Sequence, residues 1–173
     1  TGVQTCALPI SLKTTLSSEG GLVPLLKLLR TSDDMSRMWA TIIISHIADD
    51  SLSRTEIIRE DGIKHILRQL SSNVDGARLN AANALSNLCE NDAEIQTIIA
   101  EEEGVSELVS LLEDTNDVCR EQAAFILDIL CKNKDTYRDV IKHGAVEPTL
   151  KLLDSDCEYC RVTASCMLAN LSC

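Results

Sequence analysis

The chain has 173 residues, of which 45% are apolar but only 2% aromatic, and its formal net charge is −11 at pH 7. A core of Leu, Ile, Val and Ala suits closely packed helices better than a sheet sandwich, so the composition argues against a sheet protein. The negative charge argues against a nucleic-acid-binding surface, which needs clustered Lys and Arg, and favours a basic or amphipathic protein or peptide partner.

The first ten residues, 1–10, resemble the conceptual translation of a sequencing adapter. They lack the positive residues and the long apolar run of a secretory signal. We therefore expect them to be non-native and the natural chain to start at or near Ser11. No apolar run in the sequence reaches the roughly 18 residues that span a bilayer, and no lipidation motif is visible. We expect a soluble protein located in the cytoplasm, with the nucleus as an additional compartment.

From Ser11 onward, one pattern of three helices recurs four times. A short first helix is carried on segments such as Thr55–Glu60. Each copy of this helix places an apolar residue at the same repeat position. These residues are Leu16, Ile57, Ile99 and Val140. We expect them to anchor the first helix in the core.

A second helix follows and opens near a glycine. Its four copies are residues 20–29, 61–70, 103–112 and 144–153. Pro24 and Pro148 lie in its first turn, where the missing N–H costs nothing. The connections after it are rich in Asp, Asn, Ser and Thr, which predicts N-caps for the next helix. They are residues 31–34, 71–75, 113–117 and 154–156.

The third helix is clearest at Arg78–Cys89, where Ala81, Leu85 and Leu88 fall three and four residues apart. Its first residue recurs as Arg37, Arg78, Arg120 and Arg161, at intervals of 41 or 42 residues. Alanine recurs at 40, 81, 123 and 164, and large aliphatic residues follow four and seven positions later. The arginines fall on the core-facing stripe, so we expect buried stems with heads that pair with loop carboxylates, not a ligand site.

This three-helix unit resembles an armadillo repeat. Gly20–Leu29 is similar to the family's Gly-Gly-Ile-Pro-x-Leu-type second helix, and Ala81–Leu88 is similar to its Ala-Ala-x-Ala-Leu-x-Asn-Leu-type third helix. HEAT repeats are the alternative, but they usually lack the glycine-led second helix. The resemblance implies an all-α, right-handed α-solenoid with three helices per repeat. Residues 11–173 would hold repeats at about 11–49, 50–91, 92–133 and 134–173. Because neither end has a polar capping repeat, we expect a fragment of a longer array.

The sequence predicts no catalytic residue, metal site or cofactor. Cys157 and Cys160 form a lone CxxC, whereas a structural zinc site needs four ligands, so we expect a metal-free loop pair. Cys89 and Cys131 share one core position and are predicted to be reduced packing residues. We find no phosphate-binding glycine loop, nucleophile elbow or paired His-and-Glu signature. The chain is therefore predicted not to be an enzyme and to take no small-molecule substrate.

The resemblance implies a protein-interaction scaffold that binds an extended or helical peptide in the concave groove of the third helices. At about 100° per residue, the side of each third helix opposite the core carries three residues. The predicted site is Trp39, Ile42, His46, Asn80, Asn83, Asn87, Gln122, Phe125, Ile129, Thr163, Cys166 and Asn170. Asparagines can hold a peptide backbone, and aromatic residues can anchor its side chains. The alternative is that Trp39 and Phe125 pack against neighbouring repeats.

Two other functions remain open. A nuclear transport receptor of the importin-α type, which recognises basic cargo signals, carries a Trp and an Asn one turn apart on successive third helices. In this chain the Trp position holds Ile42, Asn83, Phe125 and Cys166, and the Asn position holds His46, Asn87, Ile129 and Asn170. The Asn half survives in two repeats and the Trp half in none, which argues against cargo-signal binding. The other function is the regulatory or substrate-binding arm of a larger enzyme, such as a ubiquitin ligase.

Overall fold

The computed structural model describes Thr15 and residues 20–48, 50–101 and 103–171. The predictions for 1–10 and for Leu16 lie outside these residues. The described part of the chain forms eleven α-helices and no strand. The helices are α1 (Leu22–Leu28), α2 (Asp34–Ile47), α3 (Ser51–Arg59), α4 (Gly62–Leu67), α5 (Asp75–Cys89), α6 (Ala93–Glu101), α7 (Gly104–Leu111), α8 (Asp117–Lys132), α9 (Tyr137–Lys142), α10 (Val146–Leu152) and α11 (Glu158–Leu171). The all-α prediction is confirmed.

The helices repeat in the predicted order of short, short and long. Helices α3, α4 and α5 form the second unit, α6 to α8 form the third and α9 to α11 form the fourth, while α1 and α2 are the second and third helices of the first unit. The long helices α2, α5, α8 and α11 pack each against the next, and each second helix packs on the long helix of its own unit. Because every unit contacts its neighbours, the fold is a stacked solenoid.

One hydrophobic cluster runs through all four units, from Leu22 to Met167. The alanines predicted to recur in the third helices are fully buried, which allows neighbouring helices to approach closely. They are Ala40, Ala81, Ala123 and Ala164. Ile57, Ile99 and Val140 are also fully buried, as expected for the first helices. The core is therefore continuous between units and is not divided into separate domains.

The predicted N-caps are present at some third helices only. Asp33 caps α2 by accepting a hydrogen bond from the Ser36 N–H (2.8 Å). Asn116 caps α8 by accepting from the N–H groups of Val118 (2.9 Å) and Cys119 (3.3 Å). At α5 the prediction is wrong, because the N-cap residue is Val74, whose side chain cannot accept a hydrogen bond.

The four recurring arginines brace the connection before each third helix. Each Nη1 donates to the carbonyl oxygen six residues earlier. The pairs are Arg37 with Thr31 (2.6 Å), Arg78 with Ser72 (2.8 Å), Arg120 with Asp114 (2.6 Å) and Arg161 with Ser155 (2.6 Å). The arginines are half-buried, as predicted, and three of the four also form ion pairs with a carboxylate three residues earlier, at the end of the connection. The pairs are Arg37 with Asp34, Arg78 with Asp75 (2.8 Å) and Arg120 with Asp117. Arg78 alone among them also pairs with a carboxylate of the next unit, Asp114 (2.7 Å), within the described residues.

No helix in the described residues is both long enough and apolar enough to cross a membrane.

Candidate functional site

The four long helices carry all twelve residues of the predicted site, three on each helix. None of the twelve is buried. Trp39, Asn87 and Cys166 are exposed, and the other nine are half-buried. We call the surface formed by these twelve residues the third-helix face. Because the long helices stack on one another, this face continues across the units.

The asparagines of the third-helix face differ in their hydrogen bonding. Asn80 donates to the carbonyl oxygen of Gly76 (2.7 Å), one turn earlier in α5. Asn170 donates to the Asp128 carboxylate of the preceding unit (2.7 Å). The amides of Asn83 and Asn87 have no hydrogen-bond partner among the described residues. These two amides on α5, like the amide of Gln122 on α8, therefore keep their full hydrogen-bonding capacity for a ligand.

The sequence analysis did not predict a polar link between Asp128, Lys132 and Asn170 beside this face. Asp128 is 4% exposed, and its carboxylate accepts from both Asn170 (2.7 Å) and the Lys132 ammonium (2.6 Å). The same repeat position holds Ser45, Ser86 and Ala169 in the other units. The sequence does show that Asp128 places a carboxylate where the other units carry a small residue, and this difference could have indicated the link. Asn170 is occupied by this link and contributes less to a binding surface than its position suggested.

The two aromatic residues of the face lie in different surroundings. Trp39 is 56% exposed, and Met35, one turn earlier on α2, is 53% exposed. More than half of the Trp39 surface is therefore accessible to a ligand, and the alternative in which Trp39 packs against a neighbouring unit stays a prediction. Phe125 is half-buried and lines, with Ile129, a cavity of about 490 Å³ at the C-terminal end of α8. The opposite wall of this cavity includes Gln96, which accepts a hydrogen bond from Asn133 (2.9 Å).

The cysteines follow the prediction with one correction. Burial raises the pKa of Cys89 and of Cys131 to about 12, as expected for thiols in the core. Cys160 is not in a loop but lies in α11, fully buried, where burial and then the neighbouring Cys157 raise its pKa to about 11. Within the described ranges, no group of three or more His, Cys, Asp and Glu side chains could hold a metal ion.

We expect Cys166 to react fastest with a thiol reagent among the cysteines of the described residues. It is exposed, whereas Cys89 and Cys131 are buried and their raised pKa values keep them protonated at neutral pH. Labelling at Cys166 should be faster by about tenfold or more, because the thiolate is the reactive form. Peptide-resolved mass spectrometry of the native chain after timed labelling measures this order. Equal rates at Cys166 and Cys89 would contradict the burial described here.

Three-helix units stacked through their long helices define an α-solenoid repeat protein. The sequence profile of one family of such proteins, described as the plant U-box protein ARM repeat region, matches residues 6–159. The chain belongs to this armadillo repeat family, which also excludes the HEAT alternative. No curated protein shows a significant sequence match to it.

Solved structures share the fold. An engineered protein is 26% identical with a TM-score of 0.88, and the match covers 96% of this chain and 68% of that chain. A second engineered protein is 25% identical with a TM-score of 0.87, covering 96% and 41%. A designed armadillo repeat protein in complex with the peptide (KR)4 is 24% identical with a TM-score of 0.86, covering 96% and 71%.

Proposed function

We propose that this armadillo repeat array is a protein-interaction scaffold that binds an extended or helical peptide of a partner on the third-helix face. The observation that carries the proposal is the pair of unpartnered amides, Asn83 and Asn87, on successive turns of α5. A side-chain amide offers two donors and two acceptor lone pairs, so it can pair with both the N–H and the C=O of a peptide bond. The fold leaves this capacity unused on α5.

An aromatic anchor lies on the neighbouring helix. Trp39 of α2 is 56% exposed, and α2 packs directly against α5. Exposed Trp side chains are over-represented among the residues that dominate binding energy, since they bury a large area at a small entropic cost. Trp39 can hold a side chain of the peptide whose backbone pairs with Asn83 and Asn87.

The chemistry of the partner follows from charge. The net charge of −11 favours a basic or amphipathic peptide. The designed armadillo repeat protein in complex with (KR)4 supports this choice, because it has the same fold and its ligand is basic. We propose no catalytic residue, cofactor or small-molecule substrate.

A second role is favoured by the family. Its description places the ARM repeat region within plant U-box proteins, so we propose that the array is the substrate-binding arm of a larger protein such as a ubiquitin ligase. This role and peptide binding are compatible, because a substrate segment would be the bound peptide. An importin-α-like role has no such support, since the Trp position lacks tryptophan in all four units.

The test uses a peptide selected from a random-sequence display library against the wild-type chain. We expect Trp39→Ala and Asn87→Ala each to weaken its binding by roughly 1 kcal/mol or more, as measured by fluorescence anisotropy. Leu150→Ala is the matched control, because Leu150 is 49% exposed but lies on α10, outside the third-helix face.

The melting temperature separates lost contacts from lost folding. Asn87→Ala removes an exposed amide with no partner in the described chain, so its circular dichroism spectrum and melting temperature should match those of the wild type. Undiminished binding by the double variant of Trp39 and Asn87, or binding lost only through unfolding, would move the site to another face.

A further inference from the structure

At two of the three unit boundaries, a polar contact joins the connection after one second helix to the second helix of the next unit. Between the second and third units, the Ser71 hydroxyl donates to the Glu107 carboxylate (2.6 Å). Between the third and fourth units, the Lys151 ammonium donates to the Glu113 carboxylate (2.8 Å). Each contact pairs a carboxylate of one unit with a donor of the other.

The first boundary has no such pair at these repeat positions, because Arg30 donates instead to the carbonyl oxygen of Glu60 (2.8 Å), whose carboxylate lies 3.7 Å away. Arg30 occupies the repeat position of Ser71 and Glu113. His65 occupies the position of Glu107, and Arg68 occupies the position of Lys151. All three residues are basic. The first boundary thus places positive charge where the other boundaries have a matched donor and acceptor, in a chain whose net charge is −11.

These three side chains line a cavity of about 270 Å³ between the first and second units. Arg37 and Asp34 also line it, but they are paired with each other. Arg30 donates to the carbonyl oxygen of Glu60 (2.8 Å), whose carboxylate lies 3.7 Å away, so most of its five N–H donors remain available. The guanidinium group of Arg68 has no ion pair or hydrogen bond with any described residue.

The field in the cavity is positive. Burial and then the charges of Arg30 and Arg68 lower the pKa of His65 below its ordinary value. A neutral imidazole next to two guanidinium groups can still donate one hydrogen bond to an anion. The cavity therefore combines two permanent cations with an additional neutral donor.

A second, independent observation is an unsatisfied acceptor in the same cavity wall. Gln69 is 4% exposed, and its Oε1 is buried with no hydrogen-bond donor among the described residues. Its Nε2 donates to the Thr41 hydroxyl (2.8 Å), which itself donates to the Arg37 carbonyl oxygen (2.9 Å), so the orientation of the amide is fixed. A buried acceptor without a partner is costly, and a ligand N–H that enters the cavity and displaces the atoms covering Oε1 would satisfy it.

We propose that this cavity binds the phosphoryl group of a phosphorylated Ser or Thr side chain on a peptide. Arg30 and Arg68 contact the phosphoryl oxygens, and Gln69 Oε1 accepts a backbone N–H of the same peptide. A phosphoryl group has about two negative charges and three acceptor oxygens, which two guanidinium forks match. The cavity is smaller than the roughly 300 to 1,000 Å³ of drug-sized sites, so it suits a single group. The peptide nature of the ligand rests on the proposed function, whereas the anion site does not.

The test is a titration of the isotopically labelled full chain with N-acetyl-phosphoserine-N-methylamide, followed by NMR chemical shifts. The probe is a single residue, so it does not need the third-helix face. We expect saturable shifts at Arg68 and His65, and binding weakened about tenfold or more by Arg68→Gln. Lys151→Gln is the matched control, since Lys151 occupies the same repeat position in the fourth unit. Unchanged melting temperatures confirm folding, and Arg30→Gln provides a second variant.

The remaining arms separate the sources of the anion. The aspartate analogue of the probe and the unphosphorylated serine analogue should not saturate the site. Equal binding of the aspartate analogue would replace the phosphoryl group by a carboxylate and overturn the proposal. It would also fail if only inorganic phosphate bound, if only vesicles containing a phosphoinositide bound, or if Arg68→Gln bound the probe as the wild type does. Loss of binding through Trp39→Ala alone would implicate the third-helix face and not this cavity.

Discussion

Replacing Arg78 by Leu is expected to lower the free energy of unfolding by about 2 to 3 kcal/mol. The Arg78 Nε donates to the Asp114 carboxylate (2.7 Å), and the side chains are 16% and 7% exposed. Arg78 belongs to the second unit and Asp114 to the third, so the bond connects two units. In the Leu variant, the nearly buried Asp114 carboxylate would lose its ion-pair partner. The Ser72 carbonyl oxygen would also lose its hydrogen-bond donor. Urea unfolding followed by circular dichroism measures the change.

The matched control is Arg37→Leu. Arg37 has the same repeat position as Arg78 and the same bond to a loop carbonyl. In the unit that follows Arg37, however, the repeat position of Asp114 holds Ser72, which has no carboxylate. We expect a loss of only about 1 kcal/mol, because the carboxylate that loses its partner here, Asp34, is 51% exposed and remains hydrated. Equal destabilisation by Arg37→Leu and Arg78→Leu would show that the inter-unit ion pair contributes nothing.

The same pair predicts a pH dependence. Burial alone would raise the pKa of Asp114, but the hydrogen bonds from Arg78 and the Asn116 N–H, with the charge of Arg78, hold it below its ordinary value of 3.8. The stabilisation is therefore complete above pH 3.8 and is lost as the pH falls through the lower, folded-state pKa. Asp114→Asn should lack this part of the acid destabilisation. An identical acid profile for the variant would contradict the assignment.

The helices and the core could be predicted from the sequence because each depends on local periodicity that is repeated four times. Ala81, Leu85 and Leu88 show one amphipathic stripe, and the same stripe returns at a constant interval. Chance agreement in one unit would not persist in the others. The repeat therefore supplies much of the information that an alignment of related sequences would normally supply.

Features that differ between units could not be predicted in this way. The spacing of Cys157 and Cys160 predicts that both lie in a loop, but α11 begins at Glu158 and Cys160 is fully buried on this helix. The Asp128 link to Asn170 joins residues of two units, so it depends on how the units pack. Such contacts depend on the packing angle and distance between helices, which no local pattern specifies.

Replacing Gly104 by Ala is expected to lower the free energy of unfolding by about 2 to 3 kcal/mol, near the upper end for overpacking. A Cβ at Gly104 would lie 2.4 Å from the carbonyl oxygen of Ile99 and 2.9 Å from Leu67 Cδ2. The carbonyl is backbone of α6 and cannot move without loosening the last turn of that helix. Leu67 belongs to α4, so the strain also reaches the interface with the preceding unit. Denaturant unfolding measures the change.

The control is Gly76→Ala in α5. A Cβ there meets only the Met38 sulfur at 3.3 Å, the far part of a flexible side chain, and Ala has a higher helix propensity than Gly, by at most about 1 kcal/mol in this first turn. That variant should be as stable as the wild type or more so.

The fourth unit carries Ala145 at the Gly104 position, beside Val140 where the third unit has the larger Ile99. A Cβ at this turn is therefore accommodated where the first helix carries a smaller residue. In the third unit, Gly104→Ala could make the same room only by displacing α6. If Gly104→Ala instead unfolds at the wild-type midpoint, the close contact between Gly104 and Ile99 is not what requires glycine.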